Sequence, residues 1–106
     1  MVSQYDVYWV DLNPTLGAEM RKIRPCVIVS PKELNDHLDT IIIIPVTSSI
    51  HGYPYRVACH IMGRDGEIAT DQIRTIDKRR LKNRITTLAA DEIAALQNVL
   101  YQMFCE

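Results

Sequence analysis

An arginine joined to a proline is the first feature of the sequence suited to chemistry. Arg24 precedes Pro25, and an apolar run follows at 26–29. Proline lacks the N–H that a sheet ladder needs and disfavours a helical predecessor, so we expect Pro25 to begin a strand and Arg24 to lie extended beside it. A guanidinium held there is suited to bind a phosphate, because it stays charged and offers a planar fork of donors. The alternative is a surface arginine without such a task.

Three hydroxyl side chains follow the most strand-like run of the sequence. That run is 40–46, and Thr47, Ser48 and Ser49 come directly after it. Pro45 interrupts the run near its end, which predicts a sheet edge or a bulge at that point. Hydroxyl groups at the end of a strand can orient a substrate, but they are also common turn formers. Both interpretations stay open from the residues alone.

The sequence lacks the signatures of metal and cofactor sites. It has no glycine-rich loop between a strand and a helix, no paired Cys or His ligands and no acidic cluster spaced for magnesium, so we expect neither a metal nor a cofactor. His51 is either a base or a solvated loop residue. A site made of Arg24, Thr47 and Glu19 suits a pentacovalent phosphate transition state. Cleavage of RNA by its own 2'-hydroxyl is such a reaction, since the substrate brings the nucleophile.

Composition and charge are those of one ordinary globular domain. The chain has 106 residues, of which 47% are hydrophobic and 24% charged, and this predicts a single domain over 1–106. The net charge of -1 gives no overall attraction for nucleic acid, yet basic residues cluster at 21–24 and 74–84. Each cluster is either a local basic groove or a solvated face.

Cysteine usage and the lack of long apolar runs bear on location. The three cysteines are widely spaced in apolar contexts, which is typical of buried free thiols in a reducing compartment: Cys26, Cys59 and Cys105. The segment 1–6 has no leader features, and the longest aliphatic run, 41–44, is too short to cross a bilayer. We therefore expect a cytoplasmic protein that does not associate with membranes.

The elements that must position these residues are mostly short strands. Alternation and apolar content predict strands at 5–12, 25–30, 40–46, 55–60, 67–69, 73–76 and 84–88. A long loop at 15–23 leads into the Arg24 strand, 32–39 forms one or two helical turns, and 63–66 predicts a hairpin turn. Strands at such short spacing predict a mainly β fold, either a small barrel or a sandwich.

The C-terminal segment differs from the rest of the chain. Its apolar residues recur at helical spacing, which predicts a helix over 91–105 with one buried stripe: Ile93, Leu96, Leu100 and Phe104. Asp91 and Glu92 fall in the first turn of this helix, where negative charge complements the helix dipole.

Five blocks of the sequence resemble the MazF/PemK family of toxin endoribonucleases, in family order and over nearly the whole chain. The blocks are DVYWVDLNP, GAE, RPCVIVS, PVTS and DQIRTID with RL shortly after. The resemblance implies an SH3-like small barrel of antiparallel strands with a C-terminal helix, and a homodimer. It also implies metal-independent, sequence-selective cleavage of single-stranded RNA, chiefly mRNA, neutralised by a cognate antitoxin. Two positions depart from the pattern: Tyr5 replaces a glycine, and Pro31 stands where many members have an acidic residue.

The resemblance further implies roles for individual residues. It assigns catalysis to Arg24 and Thr47, matches Glu19 to the glutamate of the Gly-x-Glu loop, and turns Gln72 toward the RNA. We expect further RNA contacts at neighbouring basic and hydroxyl positions: Arg21, Lys22, Ser48, Ser49 and Arg56.

A binding-only toxin of the same fold, which poisons DNA gyrase, is the alternative function. That class ends in Trp-Gly-Ile, whereas this sequence ends in Phe104-Cys105-Glu106 and keeps both Arg24 and Thr47. Because one fold hosts unrelated functions, these residues and not the barrel favour the ribonuclease.

Overall fold

The computed structural model describes residues 2–105. The strands are β1 (Asp6–Asp11), β2 (Ile23–Ile28), β3 (Thr40–Thr47), β4 (Val57–Ile61), β5 (Arg64–Ile68), β6 (Arg74–Asp77) and β7 (Leu81–Thr87). The helices are α1 (Lys32–His37) and α2 (Ala90–Phe104). All seven predicted strands are present, with ends that differ from the prediction by up to three residues.

One antiparallel sheet connects these strands in the order β4-β5-β3-β2-β1-β7, and β6 pairs with the first half of β3. The sheet curls into a half-barrel with α2 packed near β4. The predicted mainly β fold, a small antiparallel barrel with a C-terminal helix, is therefore confirmed. Loop 12–22 joins β1 to β2, and loop 48–56 joins β3 to β4.

Pro25 of β2 and Pro45 of β3 both lie at points where a strand changes or lacks a partner on one side, so the missing proline N–H is tolerated. β2 begins at Ile23, so the prediction that Pro25 opens the strand is wrong by two residues. β2 pairs with β3 only from Cys26 onward, and Pro25 therefore loses no ladder bond on that side. Pro45 lies in a central strand and not at a sheet edge, at the point where β3 changes partner from β6 to β5.

The β4–β5 hairpin turns two residues earlier than predicted. Ile61 pairs with Arg64, so the turn consists of Met62 and Gly63, and the predicted turn segment 63–66 mostly belongs to β5. Both turn residues have positive φ, 54° and 74°, as a two-residue hairpin with primed turn geometry requires.

The core consists of two apolar clusters on opposite faces of the central strands. Val27 and Ile44 contribute to the first cluster, while Cys26 and Ile43 contribute to the second. The prediction that the run after Pro25 is buried on both faces is confirmed for 26–28, since those three residues are fully buried. Arg24 therefore lies two residues before a fully buried stretch of β2.

All three cysteines are free, as expected, but only two are buried. Burial raises the pKa of the Cys26 and Cys59 thiols to about 12. These two thiols are therefore protonated at neutral pH and poorly reactive. Cys105 is exposed at the end of α2, which corrects the expectation that it is buried.

Helix α2 begins and ends within one residue of its predicted bounds. Glu92 accepts hydrogen bonds from Ala89 N–H at 3.0 Å and from His60 N–H at 2.7 Å, which ties the start of the helix to β4. Leu96 is fully buried, but Phe104 is 62% exposed. The predicted stripe is wrong at its last position, because α2 extends beyond the cluster against which Leu100 still packs.

Tyr5 occupies the position where the resemblance expects glycine. Its φ is 71°, in the left-handed region that glycine adopts without strain. The side chain packs against the first core cluster, and its hydroxyl accepts a hydrogen bond from Gln97 Nε2 at 3.1 Å. These contacts offset part of the backbone strain at the entry to β1.

Candidate active site

A groove of about 340 Å³ lies between the ends of β2 and β3 and the β4–β5 hairpin. Four of the nine predicted site residues line it: Lys22, Arg24, Thr47 and Ser48. The β2–β3 register explains how the two predicted catalytic residues meet. Cys26 pairs with Pro45, and Arg24 and Thr47 each lie two residues beyond that pair, so antiparallel pairing aligns them on the same face.

Arg24 has guanidinium donors available to a ligand. Its Nε donates to Arg21 O at 2.9 Å, which fixes the side chain to the preceding loop. Its two terminal amino groups make no hydrogen bond or ion pair with residues 2–105. The side chain is thus fixed at Nε, and Arg24 lines the groove.

Thr47 is nearly buried, with 6% of its surface exposed, yet it lines the groove. Its Oγ1 accepts a hydrogen bond from Ser49 N–H at 3.1 Å. A hydroxyl that accepts this bond still has its own hydrogen to donate toward a bound group. Ser49 therefore supports Thr47 through its backbone, and its exposed side chain does not line the groove.

The β5 backbone touches Thr47 directly. A Cβ built on Gly66 would lie 2.7 Å from the Thr47 carbonyl oxygen, closer than a side chain tolerates. Only glycine therefore allows β5 to pack this closely against Thr47.

The far wall of the groove contains charged residues that the sequence prediction missed. Arg64 and Asp65 of the β4–β5 hairpin line it opposite Arg24. The Arg64 side chain makes no hydrogen bond or ion pair with residues 2–105, whereas Asp65 Oδ1 lies 2.8 Å from His60 Nδ1. The sequence pattern in this segment predicted a hairpin turn, but such a pattern does not indicate which surface the hairpin lines.

Loop 12–22 contains three predicted site residues, and one of the three lines the groove. Lys22 lines the groove, but Glu19 and Arg21 do not. Glu19 Oε1 accepts a hydrogen bond from Leu16 N–H at 2.6 Å within its own loop. Arg21 is exposed and contributes its carbonyl oxygen to Arg24.

Arg56 lies outside the groove and is engaged by two carboxylates. Its Nε and Nη2 donate to the two oxygens of Asp71 at 3.0 and 3.2 Å, and its Nη1 lies 3.5 Å from Glu67 Oε1. The guanidinium carbon also lies 5.0 Å from the centroid of the Tyr53 ring. With only 8% of the side chain exposed, little of this cation is available to RNA.

Glu67 is a buried carboxylate that the sequence prediction missed. Its Oε2 accepts a hydrogen bond from Gly52 N–H at 2.7 Å, while its Oε1 has no hydrogen-bond partner in the part of the chain described here. The hydrogen bond from Gly52 N–H, together with the nearby His51 N–H and the Arg56 guanidinium, holds the pKa of Glu67 below its ordinary value. The bond from Arg56 likewise lowers the pKa of Asp71.

Gln72 also binds protein groups. Its Oε1 accepts from Met20 N–H at 3.2 Å, and its Nε2 donates to Asp71 Oδ2 at 3.3 Å. It thereby attaches loop 12–22 to the turn before β6.

The basic cluster at 74–84 largely supports the backbone. Arg74 Nη1 donates to Leu12 O, and Arg80 Nη1 donates to the carbonyl oxygens of Asp11 and Asn13. Arg79 pairs with Asp77 through two bonds of 3.0 and 3.1 Å. None of these arginines lines the groove.

Residues 2–105 contain neither a metal-binding cluster nor a membrane-spanning helix. No group of three or more His, Cys, Asp or Glu side chains within that range is arranged to hold a metal ion. No helix in the same range is long and apolar enough to span a membrane.

Comparisons with known proteins identify similar chains over nearly the full length. A model of the family described as PemK-like, MazF-like toxin of type II toxin-antitoxin system matches residues 3–104. The endoribonuclease MazF of Staphylococcus epidermidis is 32% identical over 108 residues, covering 94% of this chain and 88% of that protein.

Solved structures show the same architecture. MazF from Deinococcus radiodurans superposes with a TM-score of 0.87 at 26% identity, covering 99% of this chain and 97% of that one. An endoribonuclease from a mycobacterial species, solved with its cognate antitoxin, has a TM-score of 0.81 at 20% identity and covers 96% and 93%. At 20% identity, the mycobacterial structure supports only the shared fold.

Proposed function

Because this chain belongs to the family of PemK-like and MazF-like toxins of type II toxin-antitoxin systems, we propose that it is an endoribonuclease that cleaves single-stranded RNA, chiefly mRNA. The observation that carries the proposal is the alignment of Arg24 with Thr47 in one groove, where the terminal donors of Arg24 have no partner among residues 2–105. The family and these two residues favour this function over a binding-only toxin that poisons gyrase.

The proposed reaction needs little covalent chemistry from the protein. The 2'-oxygen of the RNA bonds to the adjacent phosphorus as its proton leaves, and the bond from phosphorus to the 5'-oxygen breaks as that oxygen gains a proton. The products are a 2',3'-cyclic phosphate and a 5'-hydroxyl. The Arg24 fork would stabilise the negative charge on the phosphoryl oxygens, and the Thr47 hydroxyl would orient the phosphate by a hydrogen bond. No metal ion is required in this scheme.

The RNA would run along the groove beside these two residues. Lys22 and Ser48 line it and are proposed RNA contacts, as is Arg64 on the opposite wall. Arg21 and Ser49, which neighbour Lys22 and Ser48 in the sequence, remain predicted contacts, whereas the Gln72 amide binds Met20 and Asp71. Glu19 remains a predicted catalytic residue, although its carboxylate accepts a hydrogen bond from Leu16 N–H within its own loop.

The partners follow from the family and from the size of the groove. A type II toxin is expected to meet a cognate antitoxin, and the mRNA substrate places the proposed activity in the cytoplasm. A groove of about 340 Å³ is small for several nucleotides, so we propose a homodimer whose substrate groove spans both copies. Light scattering at micromolar concentration should give the mass of two chains.

The test is cleavage of a mixed-sequence single-stranded RNA in EDTA. We expect fragments with 5'-hydroxyl ends from the unmodified protein and none from Arg24→Ala or Thr47→Val. Absence of cleavage across the RNA pool, or full cleavage by both variants, would overturn the proposal. A gyrase supercoiling assay run in parallel detects the binding-only alternative.

A further inference from the structure

We propose that Arg56 and Gln72 are positioning residues, which couple the Thr47 side of the groove to the Arg24 side through a series of hydrogen bonds and one ion pair joined by short backbone steps. The proposal rests on the proposed function where it concerns RNA cleavage. The contacts themselves can be tested without RNA.

The first half of the chain of contacts begins at Thr47. Thr47 pairs with Glu67 across the β3–β5 ladder, and Glu67 accepts the Gly52 N–H bond. That bond pins loop 48–56, which begins directly after Thr47. Arg56, at the end of the same loop, lies between Glu67 and Asp71.

The second half leads from Asp71 to Arg24. Asp71 accepts from Gln72 Nε2, and Gln72 accepts from Met20 N–H. Met20 precedes Arg21, whose carbonyl oxygen receives the Nε bond of Arg24. The path from Gly52 to Arg24 thus consists of hydrogen bonds and an ion pair. Short stretches of backbone connect them.

The Arg56 donors bind protein groups in this arrangement. Nε and Nη2 bind Asp71, and Nη1 approaches Glu67, so the planar fork bridges two carboxylates that would otherwise repel each other. A phosphate contact would compete with these bonds. The geometry therefore favours a positioning role over the predicted RNA contact.

Arg56→Lys tests the link, because lysine keeps the charge but cannot bridge both carboxylates with a planar fork. The readout is amide hydrogen exchange by NMR. Met20 N–H lies at the other end of the chain of contacts, and we expect it to exchange about tenfold faster in the variant, as befits a weakened hydrogen bond. Arg79→Lys is the matched control, since Arg79 makes the same two-bond contact with Asp77 away from the groove.

Core amides at Ile44 and Leu96 report the global fold. If they also lose protection in Arg56→Lys, then Asp71→Asn, which preserves shape, provides the same test. Unchanged Met20 exchange in a folded Arg56 variant, or an equal change in Arg79→Lys, would refute the coupling.

RNA cleavage separates positioning from direct binding. A positioning role predicts that Arg56→Lys lowers kcat about tenfold with little change in KM, and that Arg56→Ala leaves the salt dependence of RNA affinity unchanged. A phosphate contact would instead appear in Arg56→Ala as weaker binding and a salt slope flatter by about 0.7. If the unmodified protein cleaves no RNA, the proposed function fails while the exchange experiment still decides the coupling.

Discussion

Arg24 and Arg56 illustrate how one residue type serves two purposes. Within residues 2–105, Arg24 donates a side-chain hydrogen bond through Nε alone, whereas Arg56 directs its donors at Asp71 and Glu67. A guanidinium with spare donors can stabilise charge that develops on a substrate, while one with engaged donors fixes neighbouring elements. The difference lies in the partners that folding supplies.

The spare donors of Arg24 predict the result of a conservative substitution. Arg24→Lys should lower the rate of RNA cleavage on the order of 10² to 10³-fold, because a point charge replaces a planar fork at the phosphoryl oxygens. Single-turnover cleavage measured beside urea unfolding checks this. Arg79→Lys should cleave normally, and an equally stable Arg24→Lys enzyme within a few-fold of the parent rate would contradict the role.

At the scale of elements, the close approach of β5 to β3 sets the position of Thr47. Gly66→Ala should destabilise the fold by about 1–3 kcal/mol, the usual cost of overpacking, and should also reduce cleavage by displacing Thr47. Gly63→Ala separates the two effects, since a Cβ there has no atom within 4 Å but meets strain at φ 74°. We expect Gly63→Ala to lose stability but keep its activity per folded molecule. Equal activity loss in both variants would show that Gly66 matters only for stability.

Loop 48–56 should be held less firmly in acid. The pKa values of Glu67 and Asp71 are lowered in the folded protein from ordinary values of 4.5 and 3.8. A lowered folded pKa means that this stabilisation is fully present above the unfolded pKa, and it is lost as pH falls through the folded value.

The measurement is the free energy of unfolding in urea between pH 7 and pH 3. The unmodified protein should lose stability as pH falls below about 4.5, and Glu67→Gln should show a shallower loss over that range. Glu33→Gln, which removes an exposed carboxylate on α1, should retain the parent slope. A parent-like slope in Glu67→Gln would show that Glu67 does not contribute to the loss of stability in acid.

For the whole molecule, a net charge of -1 conceals a cationic groove. Lys22, Arg24 and Arg64 line it, so three phosphate contacts should give a slope of log affinity against log salt of about -2. Arg64→Ala should flatten that slope by about 0.7, and Arg79→Ala should leave it unchanged. Fluorescence anisotropy with a short single-stranded RNA checks both. A larger effect at Arg79 than at Arg64 would mean that RNA binds another face.

Local patterns were enough to predict the elements and part of the site. Proline placement, β-branched runs and helical spacing depend on nearby residues, so they predicted seven strands and α2 within a few residues. Arg24 and Thr47 were candidates from their types and positions, and the resemblance of their local blocks to a known family assigned catalysis to them. Local patterns did not predict the exact bounds of some elements, such as the turn at 62–63, and they did not predict that Phe104 is exposed.

Only the tertiary structure decided which charged residues share a surface. Arg56 and Arg64 look alike in the sequence, yet pairing of β5 with β3 places Arg64 on the groove, while folding of loop 48–56 brings Arg56 between Glu67 and Asp71. These contacts join residues that are far apart along the chain, and no local propensity encodes them. The sequence by itself determined the elements and the chemistry available, and long-range strand pairing determined which side chains meet, because register alone sets which residues face each other.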